Sequence, residues 1–219
     1  TASVFLQRLC GGNVRTRFAP SPTGYMHLGH AYSALNAWYI AGAQAENFHL
    51  RIDDLDCTRC NPAFTKQIFD DLRWLGISWQ EPVSYQSART ARYEERLARL
   101  QEADFIYPCY LTRKEANSLL SAPHNFEDVL VPAPSTRYLL NTQESRKREA
   151  EGMAPVWRLD SARAIREVSP YKHLYWLDHK GTKHRVEVAR FGDVVLGRRD
   201  SPASYHLSTV SDDADSNIN

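Results

Sequence analysis

The segment Arg17-Phe18-Ala19-Pro20-Ser21-Pro22-Thr23-Gly24-Tyr25-Met26-His27-Leu28-Gly29-His30 constrains this chain more than any other. A short extended stretch, Arg15 to Ala19, runs into two prolines and a glycine set among Ser and Thr, the composition of a rigid loop. Beyond it, Leu28, Ala31, Leu35 and Trp38 recur at helical spacing, so an amphipathic helix is expected from near His27. A strand feeding a tight loop and then a helix is the opening of a parallel α/β sheet. In such sheets ligands sit beyond the carboxyl ends of the strands, beside helix N-termini. Free backbone N–H groups and the helix dipole favour phosphate there. His27 and His30 add two imidazoles to the first turn, and Gly29 leaves room for a ring or a phosphate to approach the backbone. The arrangement suits ATP, with charge stabilised at its α-phosphate.

The next elements continue the same grammar. Asn47 to Asp53 alternates as a strand does. Asn61-Pro62 opens a second helix whose buried stripe is Phe64, Ile68 and Leu72, with proline in the first turn. Ser87 to Glu102 reads as a third helix through Tyr93, Leu97 and Leu100. The expected fold class is therefore α/β, with a parallel sheet. From Cys109 to Arg190 the pattern weakens into short mixed segments. Ser135 to Arg166 carries seven Lys or Arg against four Asp or Glu, which reads as a polar inserted subdomain. A β-like segment, Val194 to Gly197, leads into Ser204 to Val210 near the end of the chain.

Composition narrows the function classes. The chain has 27 basic and 26 acidic residues and a net charge of +1, so bulk charge does not mark a nucleic-acid binder. Its apolar runs are too short for a membrane helix, and residues 1–16 lack the basic and apolar regions of a signal peptide. Four cysteines in 219 residues are no disulfide scaffold. A cytoplasmic, reduced protein is the expectation.

The block RFAPSPTGYMHLGHA resembles the first signature of the glutamyl-tRNA synthetases, the glutamate branch of the class I aminoacyl-tRNA synthetases, with His27 and His30 in place of the family's HIGH histidines. Further resemblances follow in chain order: LRIDDLD from Leu50, LRWLGISW from Leu72, YQS from Tyr85 with Arg89 and Tyr93, and YPC from Tyr107 with TRKE from Thr112. Near the end, GDVVLGRRD from Gly192, SYHL from Ser204 and VSDDA from Val210 are most similar to the glutamyl-Q tRNA(Asp) synthetase branch, short paralogues without an anticodon-binding domain.

The resemblance implies a Rossmann-like (HUP-type) catalytic domain with an inserted α+β subdomain. Its parts would be 1–108 as the first half of the nucleotide-binding domain, 109–190 as the insertion, and 191–219 as the start of the second half. It implies ATP-dependent activation of L-glutamate, with Mg2+, and transfer to queuosine in tRNA(Asp). A fragment of a full glutamyl-tRNA synthetase is one alternative. A non-catalytic remnant that binds ATP, glutamate or tRNA is another, as is a nucleotidyltransferase that uses no tRNA. By position, Ser21, His27, Gly29 and His30 would meet ATP, and His27 and His30 would act on the α-phosphate. Arg17, Ala19, Ser21, Asp53 and Tyr205 would form the glutamate site. Arg17 would grip the side-chain carboxylate and Asp53 the ammonium. The family usually carries Glu at the position of Asp53, which shortens the reach by about 1.5 Å.

Three departures shape the expectations. Leu111 stands where many paralogues place a zinc cysteine and no YxxxC follows, so no metal site and no zinc are expected. Cys57-Thr58-Arg59-Cys60 has no second cysteine pair beside it. No K-x-S-K loop occurs, and the family's VVRG arginine would fall just past residue 219, so the chain reads as truncated. The missing exit strands predict marginal stability or a partner over that edge. A monomer is the expected oligomeric state.

Overall fold

The computed structural model describes residues 14–112, 114–116, 142–168, 174–178, 181–186, 191–201 and 203–219. Part of the basic stretch (135–141), together with Cys10, Lys172, Lys180 and Arg190, lies outside them. The chain divides into two compact units. One takes the described residues of Thr1–Thr90, Leu177–Thr182 and Val210–Asn219; the other takes those of Ala91–Trp176 and Lys183–Thr209.

The first unit is built on a parallel sheet in the order β1 (Thr16–Phe18), β2 (Phe48–Ile52), β3 (Gln80–Tyr85). Thr16 pairs with Phe48 and Phe18 with Leu50. Period-two alternation sends Phe48, Leu50 and Ile52 into one apolar cluster, with Phe18 beside them. Helices α1 (Leu28–Ile40) and α2 (Pro62–Trp74) fill that cluster with Ala34, Ile68 and Leu72. The helices link the strands by crossovers, so this unit has the Rossmann-like α/β architecture expected.

Local chemistry sets the element ends. Asn61 caps α2, its Oδ1 accepting from the Ala63 N–H at 2.9 Å, and Pro62 stands in the first turn. Beyond α2, Gly76 adopts φ of 74°, and the N–H groups of Gly76 and Ile77 return to the carbonyls of Arg73 and Leu72. Asn61→Ala is expected to cost about 1 kcal/mol, read as a shifted urea midpoint with unchanged slope.

Three sequence expectations are corrected here. The buried face of α1 follows the Leu28, Ala31, Leu35, Trp38 stripe only in part. Leu35 and Trp38 pack against the core with Ala34, Ala37 and the C-cap Ala41, but Leu28 is 86% exposed. Leu28 is the first helical residue, so its side chain leans back past the end of the core. The third helix does not begin at Ser87. A 3-10 turn covers Gln86–Arg89, and α3 runs over Thr90–Glu102. Asp54 takes both the Ser87 N–H (2.8 Å) and the Ser87 hydroxyl (2.7 Å), which accounts for the different turn. Finally, β3 forms where the sequence pattern gives no strand, because Pro82 sits inside it; an edge strand tolerates a proline that a central one does not.

The second unit holds an antiparallel sheet ordered β4 (Ile106–Cys109), β5 (Val156–Leu159), β8 (Val195–Gly197); β6 (Leu174–Leu177) and β7 (Lys183–Val186) form a separate two-stranded sheet. Asp193 ties this sheet together. It accepts from the Tyr107 hydroxyl at 2.7 Å and from the Ser161 N–H at 3.1 Å, at the start of α5 (Ser161–Val168). In α4 (Thr142–Ala150), Arg148 forms a two-pronged pair with Glu115 at 2.8 and 2.9 Å. Hydrogen bonds from Arg148 and then from Thr112 hold the Glu115 carboxyl down to about 2. That member of the basic cluster is therefore engaged within its own unit. Among the described residues, no helix is long and apolar enough to cross a membrane. The last helix, α6 (Tyr205–Asp215), has Tyr205–Thr209 in the second unit and Val210–Asp215 in the first.

Candidate active site

The two histidines build the start of α1 themselves. His27 is the N-cap, its Nδ1 accepting from the Gly29 N–H at 3.1 Å. His30 closes a capping box, its Nδ1 accepting from the His27 N–H at 3.2 Å. The ring centroids lie 3.9 Å apart with the ring planes tilted by 30°. A nitrogen that accepts a hydrogen bond carries no proton, so each neutral ring holds its N–H on Nε2. The pair therefore offers Nε2–H donors while Nδ1 serves the backbone. Burial, and then the neighbouring His27, hold His30 below the ordinary histidine range, which favours the neutral donor form. Gly29 serves the cap directly. A Cβ there would stand 2.9 Å from Cε1 and 3.1 Å from Nδ1 of His27, so the missing side chain makes room for the capping ring.

Beside this turn lies a cavity of about 380 Å³ lined by Arg17, Ala19, Ser21, Thr23, His30 and Ser33, among others. Four of the expected site residues thus share one cavity wall. Its volume is within the usual range for small-molecule sites. The lining contains one guanidinium and no carboxylate, which suits an anionic ligand. The loop is pinned by backbone bonds: the Asp53 N–H donates to the Pro20 carbonyl at 3.0 Å, and the Asn61 N–H to that of Pro22 at 3.0 Å.

The opposite face of the sheet is charged. Arg17 pairs with His49 across β1 and β2, and Arg51 follows two residues later on the same face. Asp213, from α6, receives Nε and Nη2 of Arg17 at 3.0 and 3.1 Å, and Nη1 of Arg51 at 2.7 Å. Arg51 also donates to Asp53 at 2.6 and 3.3 Å and lies 3.6 Å from Asp212. Asp212 accepts from Gln86 at 2.9 Å and from Arg89 at 2.7 Å; Arg89 also pairs with Asp215.

This network decides where charge resides. Burial pushes the Asp53 carboxyl up, against the pull of Arg51. Burial also acts against the ionised form of Asp213, yet Arg17 and Arg51 hold that carboxyl below its usual range. Asp53 is only 9% exposed and is tied to Arg51 through both oxygens. Tyr205, 66% exposed, opens α6 in the second unit. Arg51 and Asp212-Asp213 fall inside the LRIDDLD and VSDDA motifs, and the sequence alone gives them no part in the site. Nothing local reveals the Arg17–Asp213 pair, whose members are 196 residues apart.

A second cavity, about 610 Å³, is lined by Pro22, Asp54, Cys57, Cys60, Lys66 and Tyr85, among others. Burial, then Asp54 and Asp56, raise the Cys60 thiol. Cys57, Cys60 and Cys109 are free thiols. Among the described residues no group of three or more His, Cys, Asp or Glu is placed to hold a metal ion.

The sequence profile described as the catalytic domain of class I tRNA synthetases (E and Q) matches residues 13–219. A glutamyl-Q tRNA(Asp) synthetase of Symbiobacterium thermophilum is 36% identical over 214 residues, covering 94% of this chain and 62% of its own. That of Rhodobacter capsulatus is 38% identical over 209 residues, covering 91% of this chain and 72% of its own. Among solved structures, a glutamate tRNA ligase from Elizabethkingia meningosepticum, crystallised in complex with its amino acid, superposes with a TM-score of 0.70 at 27% identity, over 94% of this chain and 42% of its own. The chain thus spans from under half to just over two thirds of these relatives. With an HxGH helix start, a parallel sheet behind it and a family match over nearly its whole length, this chain belongs to the class I tRNA synthetases for glutamate and glutamine, as part of their catalytic domain.

Proposed function

We propose that the protein activates L-glutamate with ATP, in the presence of Mg2+, and passes the glutamyl group to tRNA, with queuosine of tRNA(Asp) as acceptor. The observation that carries this reading is the single cavity that unites Arg17, Ala19, Ser21 and His30. A glutamate α-carboxylate oxygen attacks the α-phosphorus, the bond to the bridging oxygen breaks, and pyrophosphate leaves. The Nε2–H groups of His27 and His30 stabilise the charge that develops on the α-phosphate oxygens. The Arg17 guanidinium receives the side-chain carboxylate and Asp53 the ammonium; Tyr205 lines the amino acid site. No side chain acts as covalent nucleophile, so rate comes from positioning and fixed dipoles. In this reading 109–190 is an insertion between the two halves of the catalytic domain.

The queuosine acceptor is supported by the similarity to glutamyl-Q tRNA(Asp) synthetases. A glutamyl-tRNA synthetase is the second reading, favoured by the superposition on a glutamate tRNA ligase. Glutamate-dependent ATP–pyrophosphate exchange without tRNA separates them. Exchange with glutamate alone is expected here. Exchange that appears only on adding tRNA selects the second reading, and none under either condition sinks both.

A further inference from the structure

Arg17 stands at the border of two cavities. One is the loop cavity with Ser21 and His30. The other, also about 380 Å³, is a polar groove lined by His49, Arg51, Arg89, Asp213 and Asp215. Its Nε and Nη2 are engaged by Asp213, and Nη1 has no partner among the described residues. A guanidinium has two edges, each able to hold a carboxylate by parallel bonds. Asp213 occupies one and leaves the Nη1 edge for a ligand. The same Asp213 oxygen that meets Arg17 Nε accepts from Arg51 Nη1, and Arg51 in turn holds Asp53 through both oxygens. Arg17, Asp213, Arg51 and Asp53 thus alternate in sign. Asp213 is absent from the lining of the loop cavity, so it acts on Arg17 from behind.

We propose that Asp213 is the positioning residue for amino acid recognition: it clamps one edge of Arg17 and, through Arg51, fixes Asp53, so that one carboxylate sets the spacing between the two groups that grip the substrate's opposite charges. This rests on the functional reading above, in which Arg17 takes the carboxylate and Asp53 the ammonium. A guanidinium released from its clamp must lose rotamer freedom on binding, and that loss falls on glutamate alone.

The test is steady-state ATP–pyrophosphate exchange by the intact protein, with glutamate and ATP varied separately. Asp213→Asn is expected to raise the KM for glutamate about tenfold while the KM for ATP stays within about twofold. Asp213→Glu, which keeps the charge, is expected to recover part of the loss. Arg17→Lys added to Asp213→Asn should cost little more than either change alone, since both disable one device. If Asp213→Asn fails to fold, Asp213→Glu carries the test, its longer arm raising the glutamate KM alone. An unchanged or lowered glutamate KM, or equal rises for both substrates, overturns the proposal while leaving the functional reading standing. A wild-type protein with no glutamate-dependent exchange, with or without tRNA, overturns both.

Discussion

Replacing His30 by alanine is expected to slow glutamate-dependent pyrophosphate exchange at saturating substrate by roughly 10²–10³-fold, the loss typical of removing one fixed donor from a developing oxyanion. His30 lines the loop cavity and presents Nε2–H, because its Nδ1 is committed to the His27 N–H. The change also removes half of a capping box, which costs about 1 kcal/mol of stability. The two losses separate in measurement. The kinetic loss persists at temperatures where circular dichroism shows the variant fully folded. His30→Asn retains a short side-chain donor and is expected to fall between the two. An alanine variant that is folded and within about threefold of wild type in rate would remove His30 from the chemistry.

Arg51→Met is expected to destabilise the protein by about 3–5 kcal/mol, the range for breaking a buried ion pair by deleting one partner. The Arg51 side chain is only 5% exposed, and it serves Asp53 at 2.6 Å, Asp213 at 2.7 Å and Asp212 at 3.6 Å. Deleting it leaves three carboxylates together with one fewer cation between them. Urea denaturation near neutral pH reads the loss. The deficit should shrink as pH falls. Arg51 draws Asp53 and Asp213 toward the ionised form, so its contribution is present while they are charged and is lost as they take up protons. Arg59→Met is the contrast: its pair with Asp56 is as short, 2.6 Å, but Arg59 is 73% exposed, and no measurable shift of the urea midpoint is expected. Equal costs for the two variants would refute the view that burial sets the importance of Arg51.

What sequence reading reached and what it missed follow from the range of the interactions. His27, Asn61 and Pro62 announce helix starts because caps are local, within a few residues. The alternation of β2 is local too. The exposure of Leu28 is not legible, since it belongs to the apolar period of α1 while standing beyond the core that takes Leu35 and Trp38. The 3-10 turn at Gln86–Arg89 depends on Asp54, more than thirty residues earlier. Beyond Cys109 the strands run only three or four residues, too short to show a period. At the site, Arg17, Ser21 and His30 were legible through motif resemblance, and the structure brings them to one wall. The carboxylates behind that wall were not, because ion pairing across the sheet leaves no spacing pattern in the chain.

A parallel sheet is ordinarily apolar on both faces. Here one face is apolar, whereas the other sets Arg17 and Arg51, with Arg89 nearby, against Asp53, Asp212, Asp213 and Asp215. The two faces impose different rules on sequence drift. On the apolar face a residue can change alone if volume is kept, because its contacts are many and interchangeable. On the charged face a single replacement strands a partner of opposite sign. Change there should come in matched steps, an acid lost with a base, and lineages should differ at these positions by pairs. The sheet should thus carry two clocks, a slow one for its charged face and a faster one for its apolar face.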